Sequence, residues 1–163
     1  GKETWGATVN HENQEHLVES NAILLDVLRD QVGTLGVKRG CDMGTCGCCA
    51  VLIDGEPRLS CLCLAKEAKG TSITTVEGLA DGHHLHPIQQ CFAEAGGSQC
   101  GFCTPGMIMS ILDLFNGNKN PTDLEIKKQL SGNLCRCTGY DKIIRAVLDA
   151  AREMRKDHGP NYS

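Results

Sequence analysis

Cysteine is the residue that most constrains what this chain can become. Eleven of 163 residues are cysteine, and some lie side by side (Cys48 and Cys49) or one residue apart (Cys135 and Cys137). An odd number cannot pair completely within one chain. Thiols this close suit a shared metal centre better than separate disulfides, whose geometry wants Cα atoms about 5.5–6 Å apart. No apolar run approaches the ~18 residues of a membrane-spanning segment, and the opening Gly1-Lys2-Glu3-Thr4-Trp5 has no hydrophobic signal core. A reducing, cytoplasmic setting is expected, where dense cysteine means metal or catalysis more often than disulfide.

Aromatic residues make up only 4% of the chain, so little aromatic mass is available to fill a core, and something else must help to stabilise it. The net charge is −4, and residues 1–78 carry all of the imbalance, with 7 Lys and Arg against 11 Asp and Glu. There is no basic patch with interleaved aromatics, which argues against nucleic acid as a partner.

The residue pattern divides the chain near residue 79, into 1–78 and 79–163. The first part reads as short strands with one helix. Thr4 to Val9 and Glu15 to Val18 flank the polar Asn10-His11-Glu12-Asn13 as a hairpin. Asn21 is the expected cap of a helix with Ile23, Leu24, Val27 and Leu28 on one face, ended by Gly33 and Gly36. A long glycine-marked loop follows. Then come a hairpin of Ala50 to Ile53 and Arg58 to Leu64 about the turn Asp54-Gly55, and a strand over Ser72 to Val76. In the second part, Ile88, Cys91, Phe92 and Ala95 have helical spacing. Thr104-Pro105 opens a helix with Ile108, Ile111, Leu112 and Phe115 inward. Thr122-Asp123-Leu124-Glu125 is a capping box. A last helix from about Asp141 to Lys156 turns Ile143, Ile144, Val147, Leu148 and Ala151 inward. Residues 79–163 are therefore expected to form a four-helix bundle, with 66–86 as the crossing between the parts. His83, His84 and His86 fall in that crossing and read as solvated linker residues.

Two constellations carry the chemistry. Cys41-x4-Cys46-x2-Cys49 with a distant Cys61 has the spacing of a plant-type 2Fe–2S site, in which four thiolates hold ferric iron and bridging sulfides. The interleaved Gly40, Gly44 and Gly47 let backbone amides approach the sulfurs. A zinc site would more usually show separated C-x2-C knuckles. Spacing favours Cys49 over Cys48 as third ligand. The second constellation joins Gln99-Cys100-Gly101-Phe102-Cys103 to Leu134-Cys135-Arg136-Cys137, both just before helix starts whose positive ends suit an anionic centre. Four ligands in each set leave Cys48, Cys63 and Cys91 over, with Cys63 and Cys91 read as small packed hydrophobes. Arg136, between two expected ligands, reads equally as a tuning residue or a surface arginine.

Gly40-Cys41-Asp42-x-Gly44-x-Cys46-Gly47-x-Cys49, Gln99-Cys100-Gly101-Phe102-Cys103-Thr104-Pro105-Gly106-Met107 and Gly132-Asn133-Leu134-Cys135-Arg136-Cys137-Thr138-Gly139-Tyr140 together resemble the iron–sulfur subunit of molybdenum hydroxylases, relatives of xanthine dehydrogenase, aldehyde oxidoreductase and carbon monoxide dehydrogenase. The resemblance implies an α+β fold, a ferredoxin-like β-grasp domain followed by a helical bundle, with a 2Fe–2S cluster in each. It implies a non-catalytic electron-transfer chain beside a large molybdopterin-binding subunit and a medium FAD-binding subunit. Cys41, Cys46, Cys49 and Cys61 would hold one cluster, and Cys100, Cys103, Cys135 and Cys137 the other, nearer the pterin. Gln99 would hydrogen-bond the pterin, and Cys137 would both ligate iron and touch the pterin amino group. The family usually has Ala or another small residue at the position of Cys48. Neither a G-x-G-x-x-G motif nor another signature for holding FAD or molybdopterin alone is present.

Overall fold

A computed structural model of the chain describes residues 1–41, 47–80, 84–94, 104–131, 133 and 140–156. Strands β1 (Lys2–Val9), β2 (Glu12–Glu19), β3 (Ala50–Ile53), β4 (Glu56–Leu59) and β5 (Ser72–Thr74) form one mixed sheet in the order β2-β1-β5-β3-β4. Only the β1–β5 pairing among these is parallel, with Thr8 opposite Ser72 and Val9 opposite Ile73. Helix α1 (Leu24–Asp26) runs on as a wider π turn over Val27–Val32, and α2 (Pro87–Glu94), α3 (Thr104–Gly117), α4 (Asp123–Leu130) and α5 (Tyr140–Lys156) follow the sheet. This is the expected α+β arrangement of sheet followed by helices.

Both hairpins turn on two residues. Val9 pairs with Glu12, so Asn10 (φ 51°) and His11 (φ 71°) make the whole connection, shorter than the four polar residues had suggested. Positive φ at both turn positions matches the right-handed twist of the strands, and Asn tolerates it well. Asp54 (φ 50°) and Gly55 (φ 84°) repeat the device between Ile53 and Glu56. Asn10 does more than turn. Its Nδ2 donates to Thr75 Oγ1 (2.7 Å) and its Oδ1 accepts from the Thr75 amide (2.8 Å), fastening the hairpin to the chain as it leaves the sheet.

Three expectations are corrected here. Asn21 does not cap α1: Ile23 is extended (φ −85°, ψ 137°) and bridges Leu64, and the Leu24 amide donates to the Cys63 carbonyl, so residues 22–24 are held against 63–65 and the helix starts at Leu24. The second hairpin strand stops at Leu59 rather than Leu64. There the Ser60 hydroxyl and amide both donate to the Cys49 carbonyl (2.8 and 3.3 Å), bending Ser60–Leu62 into a 3₁₀ turn that carries Cys61. His86 is not solvated. It is 2% exposed, and its Nδ1 accepts from the Ile88 amide (3.2 Å) at the start of α2, where helical N–H groups lack partners. His84 is exposed as expected, while His83 lies outside the described residues.

The helical expectations hold more closely. Thr122 and Glu125 form the capping box, each side chain taking the other's backbone N–H. Gly33 (φ 89°) closes the first helical segment, where the Thr34 amide and hydroxyl both donate to the Leu28 carbonyl at 2.8 Å. Helix α3 is buried more widely than its expected stripe, with Met107 and Met109 also enclosed, because it packs on α4 and on β3. Ala95 to Gly97, the expected end of α2, lie outside the described residues.

The interior forms two apolar clusters. One, beneath the sheet, includes Trp5, Leu24, Leu25, Leu28 and Ile73, with Trp5 Nε1 donating to the Ala65 carbonyl at 2.7 Å. The other, among the helices, includes Phe92, Met107, Ile111, Phe115, Ile126 and Ile143. Strand β3 separates them. Among the described residues no helix is long and apolar enough to cross a membrane.

Candidate metal centre

Along β3 side chains point alternately to opposite faces, and the turn that leads into it, Gly47–Cys49, sends its two cysteines to different cores as well. Cys49 and Val51 enter the cluster beneath the sheet, with Ile53 packed against it, while Cys48, Ala50 and Leu52 enter the helical cluster. Cys61 joins the same side as Cys49, because the Ser60 bonds hold the 3₁₀ turn against the start of β3. Cys49 and Cys61 are 2% and 4% exposed. Two adjacent cysteines thus serve different cores, and the one with ligand spacing shares its core with Cys61.

Cys41 is partly buried and packs against the helical cluster. The loop before it is held by Arg29, whose guanidinium donates to the Leu35 and Val37 carbonyls (3.1 and 2.7 Å), and by the Lys38 amide donating to the Cys48 carbonyl (3.1 Å). Gly47 adopts φ 75°, a left-handed conformation that suits a glycine between two candidate ligands, and its carbonyl accepts from the Ala50 amide. Among the described residues no three Cys, His, Asp or Glu side chains gather as a metal site. Cys46 and Gly44, and all of Gln99, Cys100, Cys103, Cys135, Arg136 and Cys137, lie outside the described residues. The donors that are described fit an iron–sulfur group. Cys49 and Cys61 are soft sulfurs in the water-poor core beneath the sheet, where a bare thiolate would be costly and iron would neutralise it, while Cys41 stands half-buried against the helical core.

Cys63 and Cys91 behave differently. Burial and the Glu67 carboxylate push the Cys63 thiol up, and burial with Asp149, Glu94 and Glu153 does the same to Cys91. Both therefore favour the protonated thiol, a poor ligand and a poor nucleophile. Cys91 is packed on α2 within the helical core, as its helical spacing predicted.

The two halves of the chain touch at the Gly47–Cys48 turn. A Cβ on Gly106, in the first turn of α3, would overlap the Gly47 carbonyl oxygen and lie 2.9 Å from the Cys48 Cα, so only glycine allows this approach. Asn133 Nδ2 also donates to the Gly47 carbonyl, at 3.4 Å. Neither role was legible beforehand, although both residues stand inside the glycine- and cysteine-rich motifs.

Comparison with known proteins matches residues 2–93 to a 2Fe–2S iron–sulfur cluster binding domain and residues 75–148 to a [2Fe–2S] binding domain. The nicotinate dehydrogenase small FeS subunit of Eubacterium barkeri is 47% identical over 146 residues, covering 90% of this chain and 93% of that one. This chain belongs to the iron–sulfur subunits of the molybdenum hydroxylase family. Among solved structures, a chain of quinoline 2-oxidoreductase from Pseudomonas putida superposes with a TM-score of 0.92 at 43% identity, over 97% of this chain and 99% of that one. The aldehyde oxidoreductase of Desulfovibrio desulfuricans gives a TM-score of 0.90 at 39% identity over 94% of this chain but 17% of its own, so there the unit is one part of a longer polypeptide. As a member of this family the chain is an oxidoreductase subunit, and the matched 2Fe–2S binding regions take in the whole sheet and the helices as far as residue 148.

Proposed function

We propose that this iron–sulfur subunit transfers electrons from a molybdopterin centre on a large partner subunit, through two 2Fe–2S clusters, towards FAD on a medium partner subunit or an external acceptor. Residues 1–78 form the ferredoxin-like domain, with Cys41, Cys46, Cys49 and Cys61 as ligands. Residues 79–163 form the helical domain, with Cys100, Cys103, Cys135 and Cys137. Gln99 and Cys137 contact the pterin. The clusters, when bound, supply one-electron redox chemistry, and the chain's contribution is burial, amide hydrogen bonds and fixed placement. We place the complex in the reducing cytoplasm.

The observation that carries this reading is the division of Cys49 from Cys48 at the turn leading into β3, which sends the two to different cores. It puts the residue with plant-type ligand spacing beside the turn bearing Cys61, at a seam shared with the helical half. The test is native purification with metal, pterin and flavin analysis. The expected assembly contains about four irons per copy of this chain together with molybdopterin and FAD on larger subunits. A colourless monomer with stoichiometric zinc would end the proposal. The substitution Gln99→Ala is expected to slow electron arrival from molybdenum while leaving both cluster spectra unchanged. An unaltered reduction rate would remove Gln99 from the path.

A further inference from the structure

Asn133 lies outside every helix and strand and is 3% exposed, yet it bonds to four separate pieces of the molecule. Its main-chain N–H donates to the Leu130 carbonyl at the end of α4 (2.9 Å), and its carbonyl accepts from the Tyr140 hydroxyl at the start of α5 (2.6 Å). Its Oδ1 accepts from Ser110 Oγ on α3 (2.9 Å). Its Nδ2 reaches across to the Gly47 carbonyl in the first half of the chain (3.4 Å). The first three bonds suffice to join the helices. The fourth contributes nothing within the helical half, since its acceptor sits in the turn between Cys46 and Cys49.

That turn is held from a second side as well, by the close approach of Gly106. Gly106 follows Cys103 by three residues and Asn133 precedes Cys135 by two. The segments adjoining both second-half cysteine motifs therefore converge on one carbonyl of the first-half cysteine loop. We propose that Asn133 is a positioning residue for electron exchange between the two cluster-binding halves, its carboxamide clamping the Gly47–Cys48 turn to the segment that leads into Cys135. This rests on the two-cluster reading above.

Asn133→Asp isolates the clamp. A carboxylate oxygen still accepts from Ser110, but the other faces the Gly47 carbonyl with no proton to donate, so attraction becomes repulsion. The chain, loaded with iron and sulfide and reduced by dithionite, is examined by low-temperature EPR for the splitting that arises between two reduced clusters. Rapid-freeze sampling then follows electron equilibration. The variant is expected to keep its full iron and both signals, to change the splitting, and to equilibrate about tenfold more slowly. Ser110→Ala, which leaves the donor but frees the carboxamide, shifts both readouts the same way and less. A fully loaded Asn133→Asp chain with unchanged splitting and rate overturns the proposal. Should that variant fail to load, Ser110→Ala decides, and full iron with unaltered splitting and rate overturns it equally. An unsubstituted chain that takes up fewer than about four irons instead sinks the two-cluster reading, and the clamp with it.

Discussion

The core beneath the sheet and the core among the helices both bury cysteines, but in different company. Beneath the sheet, Cys49 and Cys61 come from chain segments joined by the Ser60 bonds and share one apolar enclosure. Among the helices, burial and then the field of Asp149, Glu94 and Glu153 resist the ionisation of Cys91, and Cys48 packs in the same core. Burial alone does not make a thiol a ligand. Cys49 and Cys61, the proposed ligands, are brought together through the Ser60 bonds, whereas burial and nearby carboxylates keep the proton on Cys91.

The sharpest way to break this comparison is to remove one cysteine from each core. Cys61→Ser is expected to lose about half of the bound iron, with the helical half still loaded, whereas Cys91→Ala keeps all of it; metal analysis with EPR reads both. Iron loss from Cys91→Ala would erase the distinction. Packing gives the next effect. Phe115→Ala, in the helical core, should cost about 3–5 kcal/mol in denaturant unfolding, and Cys48→Ala, which removes only a sulfur, about 1 kcal/mol with iron unchanged.

Smaller still is the chemical difference at the leftover thiols. With their ionisation pushed above the ordinary value of 9.0, Cys63 and Cys91 should alkylate with iodoacetamide at pH 8 more slowly than a small free thiol, the rate climbing only at more alkaline pH. The least effect belongs to a feature outside both cores. The Thr122 backbone and hydroxyl hold the Glu125 carboxyl below its usual 4.5. A depressed carboxylate stabilises the folded state above its unfolded pKa and loses that contribution as pH falls through the folded one. The Tm advantage of the native chain over Glu125→Gln should therefore be full above about pH 5 and fade below pH 4.5.

Much of the fold was legible because its signals are short-range. Asn10-His11 and Asp54-Gly55 mark hairpins by the conformations those residues tolerate, and Thr122 with Glu125 marks a helix start within four residues. The misreadings came where distant segments intervened. Asn21 lost its capping role to pairing of 22–24 with 63–65, and the strand expected to reach Leu64 was bent at Ser60 by the Cys49 carbonyl. His86 looked like linker, yet the packing around α2 encloses it and turns its ring onto the helix start.

Cysteine spacing singled out the candidate ligands and favoured Cys49 over Cys48, and the apolar stripe of its helix set Cys91 aside, since such patterns are properties of residues close together in the chain. The amino-acid order likewise determined the turns, the capping box and most of the buried helical stripes. Only the tertiary structure decided which core each of Cys48 and Cys49 enters, why Gly106 has to be glycine, and that Asn133 reaches Gly47. Those outcomes depend on contacts between residues far apart in the chain, and such contacts come into being only once β3 is packed on both of its faces.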